Sequence, residues 1–234
     1  MSSRQIKSKV LELLHSPNLV AVLGALQSFP AKDVVNVLFA AICREDPLVR
    51  WQAISCMGDA VARLAGEDME EARVIMRRLL WSLNDESGGI GWGAPECMAE
   101  IMCRHAGLAV EYVHMLISYM REDGEEICQD GNFIEHPLLQ RGLLWGVARL
   151  CRCRPDLLLQ KGAGGDISPY LGVPDAEIRG LAVMAAGALR LTGTRPIVQK
   201  MTTDAAPITV YQNGFFLETT VGLLAQAALE ALNG

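Results

Sequence analysis

The residue types best suited to binding chemistry are concentrated in residues 81–96, the stretch WSLNDESGGIGWGAPE. Four glycines, two tryptophans, three acids and an asparagine lie there between two segments of helical pattern. Glycine allows backbone conformations with positive φ, and loops on a rigid scaffold commonly carry binding sites. Acids beside a tryptophan favour a cationic or polar partner over a phosphate, and the stretch is neither a Walker loop nor a GxGxxG turn. We therefore predict a binding loop. The alternative is a long turn whose acids cap helix ends and whose tryptophans fill a gap between repeats.

A second group of polar residues follows this loop. Glu96 and Glu100 are one helical turn apart and share a face, while His136 and Arg141 open a later helical segment. Exposed Trp and Arg side chains are typical interface anchors, and acids select a basic or hydrogen-bond-donating partner. The alternative is a solvated set of side chains that replaces structural ion pairs. The predicted binding surface comprises Asn84, Asp85, Glu86, Trp92, Glu96, Glu100, His136 and Arg141.

Patterns for catalysis or metal binding are weak. Glu111-Tyr-Val-His114 has the ExxH spacing of di-iron bundles, but it occurs once, whereas such bundles use it twice. Cys151-Arg-Cys153 has the wrong spacing for a redox pair or a zinc site. No Ser-His-Asp or Cys-His arrangement rises above chance. We predict no catalytic residue, no metal site and no cofactor.

The seven cysteines are typical of a cytosolic protein. Their number is odd, and most lie inside apolar helical patterns, as buried reduced thiols do. Cys151 and Cys153 lie on different faces of one helix and cannot easily pair. The sequence therefore predicts a cytoplasmic protein with seven free thiols and no disulfide.

The composition narrows the class of partner. Half of the 234 residues are hydrophobic and 6% are aromatic, a balance that suits close-packed helices, and the formal net charge is -6. An acidic chain is a poor match for nucleic acid and for anionic membrane surfaces. Neither an apolar run of about 18 residues nor a signal-type N-terminus occurs. We expect a protein partner, no nucleic acid and no membrane.

The elements that must position these residues repeat along the chain. Helix starts with a capping residue or an early proline before an apolar stripe occur at Asp46-Pro47, Ala94-Pro95, His136-Pro137 and Asp175-Ala176. These starts are 48, 42 and 39 residues apart, and each follows another apolar helical segment. Self-similarity at this period predicts an all-α superhelix, a solenoid of about five helix pairs.

Residues 46–53 and 175–182, which read DPLVRWQA and DAEIRGLA, resemble the HEAT-repeat family, including its short bacterial phycobilisome-lyase-like form. The resemblance covers about residues 1–190. It implies that the Asp opens the second helix of a repeat, that the Arg four residues later forms a ladder to the neighbouring repeat, and that the Ala allows close helix approach. Residues 81–96 and 141–146 are also similar to one group of bacterial HEAT-repeat proteins, and that likeness implies no activity.

The ladder positions change in the middle of the chain. In order, the pairs are Asp46/Arg50, Ala94/Met98, His136/Gln140 and Asp175/Arg179. The middle two repeats thus lack this structural ion pair. Departures from a local rule tend to fall at functional or strained sites. This departure favours a binding surface on the second helices of the middle repeats.

The C-terminal part departs from the helical pattern. Residues 208–211 and 215–219 alternate like strands around Asn213-Gly214, which is the strongest short-range hairpin signal. A threonine at 219 or 220 then caps a helix over residues 221–232. Because an isolated hairpin is marginal in water, we expect it to pack on the last repeat and to shield the open end of the stack.

These patterns together predict a single HEAT-repeat domain, with helical repeats over 1–206 and the hairpin with its capping helix over 207–234. The predicted function is a non-enzymatic protein-interaction or scaffold module that binds through the 84–96 loop and the second helices of the middle repeats. The alternative is a lyase-like or maturation factor that holds a cofactor or client protein during modification. A visible absorbance band in purified protein separates the two.

Overall fold

The computed structural model describes residues 1–84, 91–122 and 131–233. These residues form thirteen α-helices, two short 3-10 helices and one two-stranded sheet. The α-helices in chain order are α1 Ser3–Leu13, α2 Leu19–Leu26, α3 Ala31–Ala41, α4 Pro47–Glu67, α5 Met69–Leu83, α6 Ala94–Arg104, α7 Ala106–Ser118, α8 Pro137–Cys153, α9 Pro155–Gln160, α10 Ala163–Ile167, α11 Ala176–Ala188, α12 Arg195–Met201 and α13 Val221–Asn233. The 3-10 helices are Ser168–Gly172 and Thr192–Thr194, and the strands are β1 Pro207–Gln212 and β2 Phe215–Thr220.

All four predicted helix starts are confirmed, because α4, α6, α8 and α11 begin directly after residues 46, 93, 136 and 175. The carboxylate of Asp46 accepts hydrogen bonds from two backbone N–H groups in the first turn of α4, and Asp175 does the same for α11. These amides have no partner inside the helix, so the caps stabilise both starts. Gly93 precedes α6 with φ of 73°, a conformation that favours glycine.

The chain divides into two compact units. The first contains Met1–Ala109 together with Tyr211–Phe215, and the second contains Val110–Val210 together with Phe216–Gly234. In the first unit α4 packs against α3, α5 and α6, and in the second unit α11 packs against α8 and α13. Each core is therefore built around a second helix of a predicted repeat.

Glycines set the spacing between neighbouring helices at two contacts. A Cβ on Gly58 of α4 would lie 2.9 Å from the backbone of Glu100 in α6. In the second unit, a Cβ on Gly187 of α11 would lie 2.9 Å from the Cα of Ala228 in α13. Real Cβ atoms do not approach that closely, so the two helix pairs touch almost backbone to backbone.

The predicted hairpin is confirmed. Asn213 and Gly214 form its turn with φ values of 49° and 96°, as a two-residue turn with positive φ at both positions requires. The hydroxyl of Thr220 accepts a hydrogen bond from the backbone N–H of Leu223 at 3.2 Å and so caps α13. The sequence therefore encodes both the turn and the helix that follows it.

The position of the hairpin differs in part from the expectation that it packs on the last repeat. Its base does pack there, since a Cβ on Gly180 of α11 would lie 2.5 Å from Ile208 of β1. Its tip belongs to the first unit, where Tyr211 stacks on Trp51 of α4 with ring centroids 4.8 Å apart. The Tyr211 hydroxyl also lies 3.0 Å from that of Ser55. Burial of two aromatic faces favours this placement, and no local pattern reveals such a distant partner.

The cysteines only partly follow the expectation of free thiols. Cys43, Cys56, Cys97 and Cys151 are free, and burial raises the pKa of the Cys56 and Cys151 thiols to about 12. Cys103 and Cys153 are disulfide-bonded, so the prediction of no disulfide is wrong for these two. The prediction compared only cysteines close in sequence, whereas a disulfide depends on residues that the fold brings together. Cys128 lies outside the described residues.

None of the described helices is both long enough and apolar enough to cross a bilayer.

Gly214→Val should lower the free energy of unfolding by about 1–3 kcal/mol, because a β-branched residue resists positive φ. A Cβ there would also lie 2.9 Å from Cβ of Leu19. Chemical denaturation and amide hydrogen exchange of residues 207–233 measure the effect. Gly193→Val serves as the control, since a Cβ at Gly193 meets no atom within 4 Å. Equal stability and equal exchange in the two variants would contradict the prediction.

Candidate functional site

The structure places four of the predicted binding residues in the first unit. Asn84 is exposed at the C-terminus of α5, Trp92 and Glu96 are half-buried, and Glu100 of α6 is 4% exposed. Glu96 lies in the first turn of α6, where a carboxylate interacts favourably with the helix dipole. Asp85 and Glu86 lie outside the described residues, so their part in the site stays a prediction.

One exposed aromatic residue was missing from the predicted surface. Trp81 of α5 is 75% exposed, three residues before Asn84. The interpretation that both tryptophans fill a gap between repeats therefore does not hold for Trp81. Its exposure was not visible in the sequence, because the apolar pattern of α5 alone does not fix which side of the helix faces solvent.

The other two predicted residues, His136 and Arg141, belong to the second unit. His136 is exposed and precedes α8 without a side-chain cap bond. The Arg141 guanidinium donates two hydrogen bonds to Oδ2 of Asp175, at 3.0 and 2.7 Å, and lies 3.2 Å from a carboxylate oxygen of Glu177. Arg141 thus has structural partners at the start of α11, and a contact of Arg141 with a ligand stays a prediction.

The Arg141 pair corrects the expectation that both middle repeats give up the ladder. Arg141 of α8 pairs with Asp175, and Arg179 of α11 donates two hydrogen bonds to Oδ2 of Asp204 at 2.9 and 2.8 Å. Two consecutive arginine–aspartate steps therefore connect the repeats of the second unit. The ladder arginine of α8 stands at position 141 instead of 140. The long arginine side chain spans this shift of one residue.

Electrostatics favours the charged form of both aspartates in this ladder. Burial by itself raises the pKa of Asp175, but hydrogen bonds from Arg141 and from the first turn of α11 outweigh it and hold the pKa below its ordinary value. The pKa of Asp204 is also lowered: the hydrogen bond from the backbone N–H of Ala206 has the largest effect, burial opposes it, and Arg179 adds to the lowering. The ladder is therefore stabilised by ionised carboxylates.

A row of polar side chains that the sequence analysis did not identify runs along α4 and α6. Asp59 and Arg63 are four residues apart on α4, and Glu96, Glu100 and Arg104 follow the same spacing on α6. Residues four apart share a helix face. We call this set, Asp59, Arg63, Glu96, Glu100 and Arg104, the α4–α6 polar row. The four-residue spacing was its only signal in the sequence, and only Glu96 and Glu100 were recognised.

Asp59 is the centre of this row. One of its oxygens accepts a hydrogen bond from Gln27 at 2.9 Å and lies 3.5 Å from Nε of Arg63. The other lies 3.7 Å from Arg104, which is also 3.9 Å from Glu100. The two arginine distances from Asp59 exceed those of direct charge-assisted hydrogen bonds, about 2.7–2.9 Å. The Asp59 carboxylate can therefore accept a hydrogen bond from another cationic group.

The hairpin tip closes one end of this face of α4. Trp51 and Ser55 precede Asp59 at the same four-residue spacing, and Tyr211 covers both. Burial raises the pKa of Tyr211, and the hydrogen bond with Ser55 opposes that rise in part. The aromatic end of the face is therefore closed, whereas the Asp59 and Arg104 side chains remain 21% and 32% exposed.

Among residues 1–84, 91–122 and 131–233, no three His, Cys, Asp or Glu side chains converge as a metal site would require. Glu111 and His114 both lie on α7. The arrangement offers charged and hydrogen-bonding groups on helix surfaces, which is chemistry for recognition.

Comparison with known proteins identifies the fold. No protein-family model and no curated protein matches the chain. An engineered protein solved in a structural-genomics programme matches 100% of this chain and 97% of its own at 16% identity, with a TM-score of 0.53. A second engineered protein matches 97% of this chain and 99% of its own at 15% identity, with a TM-score of 0.52. A designed armadillo repeat protein, in complex with peptide (KR)4, matches 96% of this chain and 98% of its own at 17% identity, with a TM-score of 0.50.

These similarities, together with the helix pairs and the small hairpin, define the class. The chain is an all-α helical repeat protein of armadillo- and HEAT-like type with a two-stranded C-terminal sheet. At such low identity the likeness extends to the fold alone.

Asp175→Ala should lower the free energy of unfolding by about 2–4 kcal/mol, because it removes a helix cap and a charge-assisted pair. Asp46→Ala is the matched control, since Asp46 caps α4 in the same way but, among the described residues, its one ion-pair partner is His15 at 3.9 Å. The control should lose about 1 kcal/mol. Urea denaturation of both variants measures the difference, and equal losses would show that the arginine pair contributes nothing.

The same carboxylate should make stability depend on pH. Because the pKa of Asp175 is lowered on folding, its stabilisation is complete above the ordinary value of 3.8 and is lost as the pH falls through the folded-state pKa. The difference in unfolding free energy between the wild type and Asp175→Asn should therefore shrink below pH 3.8. A difference that stays constant into that acidic range would contradict the assignment.

Proposed function

We propose that this chain is a non-enzymatic interaction module that binds an extended, basic segment of a partner protein on the second helices α4 and α6. The observation that carries the proposal is the α4–α6 polar row, which places two partly exposed carboxylates, Asp59 and Glu96, on two neighbouring second helices. Glu100 belongs to the same row but is buried. Charged rows of this kind select partners by electrostatic complementarity.

The exposure of the row determines which of its groups a partner can reach. The side chains of Asp59 and Arg104 are 21% and 32% exposed, and Glu96 is half-buried, whereas Glu100 is 4% exposed. Alternate residues of an extended peptide are about 6.6 Å apart and point to the same side. We propose that basic side chains on one side of such a segment contact Asp59 and Glu96.

Charge supports a basic partner. The formal net charge of -6 attracts cationic segments. A designed armadillo repeat protein with a similar fold is described in complex with peptide (KR)4. The fold alone is shared, so this likeness supports the class of partner and not a residue-by-residue correspondence.

The 84–96 loop supplies the second part of the proposed surface. Trp81 stands exposed on the last turns of α5, Asn84 is exposed at its end, and Trp92 and Glu96 lead into α6. Exposed tryptophan is a frequent interface anchor because it contributes a large apolar area with few rotatable bonds. We include Asp85 and Glu86 of this loop, and His136 and Arg141 of the second unit, as further proposed contacts.

We further propose that the repeats are of the phycobilisome-lyase-like bacterial type, that the protein is cytoplasmic and that it does not bind nucleic acid. The first rests on residues 46–53 and 175–182, and the last rests on the acidic net charge. The alternative of a lyase-like or maturation factor is tested by recording the visible absorbance of the purified protein.

A labelled peptide of alternating Lys and Arg should bind this protein, whereas a labelled poly-Glu peptide of equal length should not. Fluorescence anisotropy measures both affinities. The double variant Asp59→Asn with Glu96→Gln should weaken binding of the basic peptide at least about tenfold, which corresponds to about 1.4 kcal/mol. Trp81→Ala should weaken it as well, without changing the melting temperature, because Trp81 is largely exposed.

The matched control is the double variant Glu218→Gln with Glu230→Gln, which changes the net charge equally at two exposed positions in the second unit. It should bind the basic peptide as the wild type does. Equal affinities for the site and control variants would show that only net charge matters and would overturn the proposed site. Equal binding of the acidic and basic peptides would overturn the proposed partner class.

A further inference from the structure

The two arginines beside Asp59 are held in different ways. The guanidinium of Arg63 donates hydrogen bonds to the backbone carbonyl oxygens of Leu26 and Phe29, both at 3.3 Å. Its Nε atom lies 3.5 Å from Oδ2 of Asp59. Arg63 cannot leave Asp59 without breaking both carbonyl bonds, so the fold fixes this arginine in place.

Arg104, by contrast, is held by long contacts. Its guanidinium lies 3.7 Å from Oδ1 of Asp59 and 3.9 Å from Oε2 of Glu100. Charge-assisted hydrogen bonds are shorter, about 2.7–2.9 Å. Within the described part of the chain, Arg104 donates no direct hydrogen bond to another residue. The five N–H donors of an arginine are therefore available for other acceptors.

The position of Arg104 in the chain offers it a second place. Arg104 is the last residue of α6, and its side chain is 32% exposed. The carbonyl oxygens of a final helical turn lack partners inside the helix, and the negative end of the helix dipole favours a cation there. Partly exposed ion pairs contribute little to stability. Arg104 can therefore turn away from Asp59 at a small cost in free energy.

The two oxygens of the Asp59 carboxylate differ in the same way. Oδ2 accepts a hydrogen bond from Gln27 at 2.9 Å and faces the fixed Arg63. Oδ1 accepts no direct hydrogen bond from the described residues, and the cation that faces it is Arg104. The space beside Oδ1 is thus the place in the α4–α6 polar row where one cationic side chain can be exchanged for another.

We propose that Arg104 is an internal competitor of the partner. It covers Oδ1 of Asp59 in the free protein and turns away when a basic side chain of the partner binds that oxygen. This inference rests on the proposed function, because it concerns the same carboxylate. The exchange replaces a 3.7 Å contact with a direct hydrogen bond, while Arg63 keeps its place.

The competition affects both affinity and selectivity. The apparent affinity of a partner is reduced by the fraction of molecules in which Asp59 is uncovered. A neutral segment supplies no charge to replace that of Arg104, so the covered state disfavours it. A basic segment does supply this charge. Arg104 therefore acts against unsuitable partners in addition to weakening the suitable one.

Fluorescence anisotropy with the labelled peptide of alternating Lys and Arg tests the competition. Arg104→Gln should bind this peptide at least about threefold more tightly than the wild type, as expected if Arg104 covers Asp59 in about two thirds of the molecules. Arg4→Gln is the matched control, since it removes the same charge at an exposed position on α1. The control should bind much as the wild type does.

The outcomes separate this inference from the proposed function. If the wild type binds the peptide but Arg104→Gln binds no more tightly than Arg4→Gln, the competition is refuted and the proposed function stands. If the wild type and both variants fail to bind, the proposed function is refuted and the inference falls with it. Circular dichroism of Arg104→Gln and Arg4→Gln verifies that both are folded.

Nuclear magnetic resonance of the wild-type protein tests the displacement itself, without a variant that could be destabilised. The side-chain Nε–H signal of Arg104 is assigned by its absence from Arg104→Gln. Its heteronuclear NOE should fall when the peptide binds, because the released side chain moves more freely. The NOE of Arg63 should stay unchanged, since two backbone carbonyls hold it. An Arg104 NOE that stays constant or rises on binding would overturn the proposal.

Discussion

The direct contact between neighbouring helices, α4 with α6 and α11 with α13, is the constraint on which the rest of the structure depends. In the first unit the absence of a side chain at Gly58 allows the backbone of Glu100 to approach, and in the second unit Gly187 does the same for Ala228. Such short distances leave little room between the helices. Glu100 at the contact is therefore buried, whereas Asp59 and Arg104 of the α4–α6 polar row stay partly exposed.

Orientation along each helix is fixed by interactions at the helix starts. Asp175 satisfies two backbone amides of α11 and at the same time accepts the guanidinium of Arg141. One carboxylate thus joins the start of one second helix to the side of the preceding one. Arg179 repeats this arrangement with Asp204. Stability and repeat geometry share these side chains, whereas the proposed contacts other than Arg141 lie outside the ladder.

The C-terminal hairpin shows how one element can serve two cores. Its base lies against α11, where Ile208 occupies the space above Gly180. Its tip lies against α4, where Tyr211 covers Trp51 and Ser55. The tip therefore defines where the open part of the α4 face begins. The partly exposed polar face that remains starts at Asp59, whose carboxylate is suited to a basic partner.

The sequence by itself determined the local interactions. The starts at Asp46, His136 and Asp175 and the Asn213-Gly214 turn were all predictable, because capping and positive φ depend on a few adjacent residues. The repeat period then gave the class of fold, since helix pairs must bury their apolar faces on one another.

Only the tertiary structure decided which distant residues meet. It seated Tyr211 on Trp51, paired Arg141 instead of residue 140 with Asp175, buried Glu100 and left Trp81 exposed. Cys103 and Cys153 are also disulfide-bonded. The physical reason is the same in each case: periodicity specifies the buried face of a helix, whereas the partner of a side chain depends on how separate segments are packed in space.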